Sequence, residues 1–403
     1  MALNINKTAT QINEFANEFK KSYSEHSNRV DRAQKAYVEL LDKRKTAGPN
    51  NDFDYKIDFT GFTQIDEYAV PIRRKLSDYR VISTDGSHIG IDRDLPVKCF
   101  LINIGIADFL YGNEANAELM NVPQLYAKEE DLIIREKDGT GFHPIEDSLL
   151  NAKRSVEEIL ALASVLDKTD FKVPTLGLID GPIAVYGLPG VSNKQYVIDY
   201  LVRDGFESAL ASIKNKTHND LLGIIGFTSL PGNRDVAKML SAKICDKGVG
   251  NSRFYCHYRA SDLISFCSNC IGGVLDREIF AGILKKGERS PIFTGKNNDN
   301  GVNNIAFFYL NVGSEIARIE IPVWNINGAE SIDLIQAMLI EQTDRGHGYP
   351  VVLMEAHEQA VINSADRRAF NDTIVEYLSR GDSRPYESAK ALSKKSEVFR
   401  LEV

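Results

Sequence analysis

The sequence predicts an α/β fold: a mixed central sheet flanked by helices, with helical insertions and a long N-terminal helix. Three observations carry this. Apolar runs of strand length recur along the chain, at 80–84, 97–107, 175–179, 221–226, 305–310 and 316–323. Segments of helical periodicity alternate with them, as in layered α/β sheets. Two of the runs lead directly into an Asp-Gly pair, Asp85-Gly86 and Asp180-Gly181. With 403 residues, 43% of them hydrophobic, the chain can form one large domain with elaborations or two modest ones.

From Thr8 to about Lys45, residues Ile12, Phe15, Phe19, Tyr23, Val30, Ala33, Tyr37, Leu40 and Leu41 recur at helical spacing among charges. The turn residues Gly48, Pro49 and Asn50 end this helix. It is expected either to pack on its own domain or to serve as an arm, residues 1–70, for dimerisation or a partner. The strand Arg80–Thr84 leads into Asp85, and the neighbouring run Val97–Ala107 predicts an antiparallel hairpin. Asn113 to Pro144 reads as polar and irregular. Ser148 to Leu166 reads as a helix with Val156, Ile159, Leu160, Ala163 and Leu166 on one face, followed by the strand Thr175–Ile179.

Leu221–Gly226 is the next buried strand, and Ile305–Leu310 and Ile316–Val323 form a later pair. Between them, Cys245 to Asn300 reads as a helical and loop insertion with a basic stretch at Lys285, Lys286 and Arg289. Pro350 suits the first turn of a helix running from Val351 to Ile362.

Composition excludes several classes. No stretch is apolar for the ~18 residues of a membrane span, and the start lacks the layout of a signal peptide. A cytoplasmic protein without a membrane role is expected. The five cysteines are an odd number and suit reduced thiols. Cys267 and Cys270 form a lone CxxC with no second pair for zinc, so buried, inert cysteines are expected. A net charge of −8 argues against gripping nucleic acid through a global positive field. It does not exclude nucleic acid as a substrate, because basic residues along one groove and bound cations can supply local positive charge.

The chemistry rests on carboxylates brought from separate strands. Two-metal phosphoryl transfer needs hard oxygen ligands around two cations ~4 Å apart. Asp85 and Asp180, short side chains placed at strand ends, can supply them, with Gly86 and Gly181 allowing close approach of a phosphate or of backbone. A single Asp-Gly is most often a turn, and the repetition raises the case for a site. The helix before the second strand offers a third ligand, Glu157 or Glu158. The apolar stripe does not separate the two, and Glu158 is the first choice. His357 is either a core histidine or a group that binds a Mn²⁺-type ion or shuttles a proton. Helical spacing turns Glu355 away from it.

At these residues the sequence resembles the NurA family of DNA-end-processing nucleases. Val81-Ile82-Ser83-Thr84-Asp85-Gly86-Ser87 is similar to the family's first motif, and Leu178-Ile179-Asp180-Gly181-Pro182 to its second Asp motif. Gly287-Glu288-Arg289-Ser290 resembles a basic motif, Phe307–Leu310 a later strand, and Gly348-Tyr349-Pro350 with Ala356-His357 the C-terminal histidine motif.

The resemblance implies a ribonuclease H-like nuclease domain over 71–403, with insertions at about 110–150 and 245–300. It implies DNA cleavage with two Mn²⁺ ions, or Mg²⁺ as the alternative, by 5′-to-3′ exonuclease and single-strand endonuclease action. It also implies a homodimer docked on HerA, a hexameric ATPase. The chain has no GxxxxGK[ST] phosphate loop of its own, so any ATP-driven translocation must come from such a partner. By the same carry-over Asp85, Asp180, one of Glu157 or Glu158, and His357 hold the metals, and Ser87 and Arg289 contact DNA.

One departure is Gly223-Ile224-Ile225-Gly226-Phe227-Thr228, where the family usually has a strand followed by Lys and other polar residues. It implies either that a phosphate contact has moved, to Arg234 or Lys238, or that DNA binding is weaker. Two other readings stand beside the nuclease: a nonhydrolytic subunit that binds DNA or regulates a translocase, and a carboxylate-metal phosphatase.

Overall fold

The structure, a computed structural model, describes residues 4–47, 57–59, 69–139, 141–183, 194–217, 221–244, 271–295, 304–326 and 328–379. The CxxC pair, Cys245, Cys256 and much of the expected 245–300 insertion lie outside the described residues; Cys99 is buried and free. In chain order the elements are α1 (Ile5–Ala47), β1 (Ile57–Phe59), β2 (Tyr79–Ile89), β3 (Phe100–Tyr111), β4 (Asn116–Tyr126), α2 (Glu129–Leu132), β5 (Ile133–Arg135), β6 (Phe142–Pro144), α3 (Asp147–Lys168), β7 (Thr175–Asp180) and α4 (Gln195–Ile198). A π-helical stretch (Asp199–Glu207) continues α4 into α5 (Ser208–Lys216), followed by β8 (Leu221–Thr228), α6 (Asp235–Ile244), α7 (Asp276–Ala281), β9 (Phe293–Gly295), β10 (Ile305–Asn311), β11 (Ile316–Pro322), α8 (Ala329–Arg345), α9 (Val351–Ala360) and α10 (Ser364–Ser379).

The chain divides into two compact units, Met1–Lys75 with Phe227–Gly348, and Leu76–Gly226 with Tyr349–Val403. In the first, four strands lie in the order β1-β9-β10-β11, all antiparallel. The later part of α1 packs there, burying Ala33, Tyr37, Leu40 and Leu41 against α6, α7 and the sheet. Phe280 meets Tyr37 edge-on at 5.2 Å and stacks on Tyr309 at 4.7 Å, the offset geometries that aromatic pairs favour. The early part of α1 presents Ile5, Ile12 and Phe15 to solvent. Asp276 accepts hydrogen bonds from the Val236 and Ala237 amides and the Tyr309 hydroxyl, so a distant side chain satisfies first-turn donors of α6.

The second unit holds the strand order β8-β7-β2-β3-β4. β2, β3 and β4 form an antiparallel meander, and β7 returns beyond α3 to lie parallel to β2, from Arg80↔Thr175 to Thr84↔Ile179. This is the mixed sheet flanked by helices expected from the sequence. Ile224 and Ile225 of β8 are fully buried, so both faces of that strand are covered and a basic side chain has no room there.

Two expectations are corrected. Asn113 to Pro144 is not irregular: it contains β4 and the hairpin β5–β6. β4 lies at the end of the strand order, and every residue but Tyr126 is exposed. No core therefore imposes an alternating pattern on its sequence, and Pro123 is tolerated because a sheet edge need not donate every amide. Between β3, β4 and α3 runs a groove of about 590 Å³ floored by Ile102, Ile104, Ile106, Met120 and Val122. The second correction concerns Asp85, which lies within β2 rather than at its end, opposite Gly105 of β3.

Candidate active site

Alternation along β2 divides its side chains between two helices. Thr84 and Gly86 face α3: the Thr84 hydroxyl donates to the Glu158 carbonyl (2.8 Å). A Cβ on Gly86 would stand 2.7 Å from Glu158 Oε1. Asp85 and Ser87 face α9: Asp85 Oδ2 lies 2.7 Å from His357 Nδ1, and the Ser87 hydroxyl donates to the Ala360 carbonyl. Asn103, across from Ser87, donates to the Gln359 and Ala360 carbonyls. The carboxylates of Asp85 and Glu158 thus belong to opposite faces of one sheet.

They interact because β7 stops. Its pairing with β2 ends at Thr84↔Ile179, so Asp85 and Gly86 have no β7 partner and side chains from both faces reach the gap. Asp180 is the last residue of β7, and Gly181 turns the chain away at φ +90°, a conformation that favours glycine. Gly86 serves differently: its φ is not positive, and it is small so that Glu158 can approach.

Asp85 Oδ1 accepts from the Gly86 amide at 2.8 Å. Asp180 Oδ1 accepts from the Tyr349 hydroxyl at 2.6 Å. Burial is the main force raising the Glu158 carboxyl, to about 8; Asp85 and Asp180 push the same way, and Arg154 opposes them. Burial also raises Asp180 against the Tyr349 hydrogen bond, with Asp85 adding to the rise and His357 and Arg154 opposing it. These groups feel one another's charge, as expected where several carboxylates share a site.

The Glu158 effect has a defined sign. Its folded value exceeds the unfolded value near 4.5, so the folded state holds the proton more tightly. The associated stability is complete below about pH 4.5 and is lost as pH rises through about 8. In chelator, the melting temperature should fall from about pH 5 to about pH 9, and Glu158→Gln, which cannot ionise, should show a fall smaller by several degrees. Melting curves with the same pH dependence for both proteins would contradict this.

Three carboxylates and an imidazole suit a hard divalent cation such as Mn²⁺ or Mg²⁺. Glu158 Oε1 is buried and makes no hydrogen bond, with the Arg154 guanidinium 3.2 Å away as its ion-pair partner. As they stand, no three such groups among the described residues close around a single point: Asp85 is turned to His357 and Asp180 to Tyr349. These side chains would have to rearrange to surround an ion.

Not every candidate joins the cluster. Glu157 pairs with Lys153 (2.8 Å), whose ammonium lies over the Tyr126 ring, so Glu158 is the glutamate at the gap. Ser87 anchors α9. Arg289, expected to contact DNA, is corrected: it belongs to the other unit and is 3% exposed. Its guanidinium donates to Gln336, Asp333 and the Ser290 carbonyl, because a buried guanidinium must be paired. Arg234 and Lys238 also belong to that unit; Arg234 donates to the Val274 carbonyl, and Lys238 is exposed.

Sequence reasoning missed Arg154 and Tyr349. Arg154 Nη1 donates to the Gly86 carbonyl at 2.6 Å and lies 3.2 Å from Glu158 Oε1. Its signal was the i, i+4 spacing from Glu158; that of Tyr349 was its place in the Gly-Tyr-Pro stretch.

Residues 79–362 match the model of the NurA domain. No curated protein matches the chain significantly. Among solved structures, the crystal structure of the NurA nuclease from Sulfolobus solfataricus aligns over 93% of this chain and 99% of that one, with a TM-score of 0.51 at 12% identity. LC9-RNase H1, a type 1 RNase H with the type 2 active-site motif, aligns over 41% of this chain and 70% of that one, with a TM-score of 0.22 at 9% identity. The first is a likeness of fold; the second is too slight to support a conclusion.

Proposed function

The chain belongs to the NurA family, and from that premise we propose that it is a metal-dependent DNA nuclease hydrolysing phosphodiester bonds. The observation that carries the proposal is the meeting of Asp85, Glu158, Asp180 and His357 beside the end of β7. The finer reading is 5′-to-3′ exonuclease and single-strand endonuclease action by a cytoplasmic homodimer. It would work in DNA end resection and repair with a HerA-type translocase. Family membership supports that assignment. No described helix is long and apolar enough to cross a membrane.

Two divalent ions, Mn²⁺ or Mg²⁺, would be held by Asp85, Asp180, Glu158 and His357; bound there, they would polarise the phosphate and acidify the attacking water. Asp85 faces the gap from one side of the sheet and Glu158 from the other. Tyr349 holds Asp180 in one orientation through its hydroxyl. His357, anchored at Nδ1 by Asp85, is left with Nε2 to bind an ion or to carry a proton away from the reacting oxygen.

Purified full-length protein supplied with Mn²⁺ should cleave single-stranded DNA and shorten linear duplexes, and chelator should stop both reactions. Intact DNA alongside hydrolysis of a chromogenic phosphate monoester would identify a phosphatase instead. DNA binding without hydrolysis of either substrate would identify a nonhydrolytic subunit, and each of these results overturns the nuclease.

A further inference from the structure

We propose that Arg154 is a positioning residue that sets the Glu158 carboxylate for cation binding, an inference that rests on the nuclease reading above. Residues 154 and 158 stand one turn apart on α3, and such pairs are usually solvated and contribute little. This pair differs in its surroundings. The side chains of Arg154 and Glu158 are 28% and 12% exposed, and Arg154 reaches beyond its own helix. Its Nη1 donates to the Gly86 carbonyl at 2.6 Å, on the strand residue that follows Asp85.

The same nitrogen lies 3.2 Å from Glu158 Oε1. The aliphatic stem of Arg154 also occupies the space above Gly86, its Cγ 3.1 Å from where a Cβ would stand. One planar guanidinium therefore ties the glutamate to the strand that carries Asp85, and the separation of two ligands from different elements is fixed by a third side chain. Its charge bears on the rest of the site as well, opposing the upward pull on both Glu158 and Asp180. Groups that orient metal ligands in this way typically account for ~10–100-fold in affinity.

Lysine can supply the charge but not the rigid planar head that here sets one nitrogen between the Gly86 carbonyl and the Glu158 carboxylate. Arg154→Ala should therefore weaken Mn²⁺ binding roughly 10-fold or more in calorimetry without DNA, and Arg154→Lys should fall between it and the wild type. Cleavage should show a matching rise in the Mn²⁺ concentration needed for half-activation. At saturating Mn²⁺, kcat should return to within about threefold of wild type, because the ligands themselves remain.

Unchanged Mn²⁺ affinity in Arg154→Ala, with wild-type protein that binds Mn²⁺ and cleaves DNA, overturns this role alone. So does a kcat that stays low at saturating Mn²⁺, which would place Arg154 on the reacting phosphate. Wild-type protein that takes up no Mn²⁺ overturns the nuclease reading and this role with it. If Arg154→Ala melts too low to assay, Arg154→Lys decides the matter by the same two measurements.

Discussion

Asp85→Ala abolishes Mn²⁺-dependent DNA cleavage, an expected loss on the order of 10³-fold or more, while the melting temperature in chelator stays within a few degrees of wild type. Both halves follow from the geometry. Asp85 is the carboxylate of β2 that faces the gap at the end of β7, and His357 Nδ1 is held by its Oδ2. Truncation would remove the proposed cation ligand and release the imidazole together, and residues acting as a unit lose nearly all their effect when one is deleted.

Stability should survive because Asp85 raises the proton affinity of Glu158 and Asp180, so its removal relieves repulsion as it breaks two hydrogen bonds. Asp85→Asn, which keeps the shape and loses the charge, should be about as inactive. Retained cleavage by either variant would remove Asp85 from the mechanism, and a collapse in melting temperature would make its role structural.

Gly105→Ala should destabilise the protein by about 3 kcal/mol and lower cleavage by roughly 10²-fold. An added Cβ would stand 2.1 Å from the Ala356 carbonyl oxygen and 2.4 Å from the Ala360 amide nitrogen. Both are helix backbone atoms that cannot rotate aside, so α9 itself must move, and α9 carries His357. The Ser87 and Asn103 hydrogen bonds to its last turn would be strained by the same shift. Gly90→Ala is the control: a Cβ there would meet only Leu150 Cδ2, at 3.8 Å, an ordinary contact. Urea unfolding and DNA cleavage measured on both variants check the prediction, and indistinguishable results for Gly105→Ala and Gly90→Ala would refute it.

Much of the second unit was legible because its strands are buried. β2, β3, β7 and β8 announce themselves as apolar runs, and α3 and α9 by periodicity and by Pro350. β4 was not legible, since an exposed edge strand carries no pattern imposed by a core. The end of β2 was misplaced for a related reason. Asp85, Gly86, Ser87 and His88 look like a turn, yet pairing with Gly105 through Ile102 of β3 holds them extended. Arg289 looked like a surface cation because a basic stretch surrounds it, and only its contacts with Gln336 and Asp333 show that it is buried.

The sequence by itself determined the α/β class, the strand that carries Asp85, the one that ends at Asp180, and the helices that carry Glu158 and His357. These depend on local periodicity and on residue chemistry, which a single chain displays. Only the tertiary structure decided which glutamate reaches the gap, why Gly86 must be small, and that Arg154 and Tyr349 contact the Glu158 and Asp180 carboxylates. The contacts of Arg154 with Gly86 and of Tyr349 with Asp180 join residues about 70 and nearly 170 positions apart, across strands and helices whose spacing is set by packing.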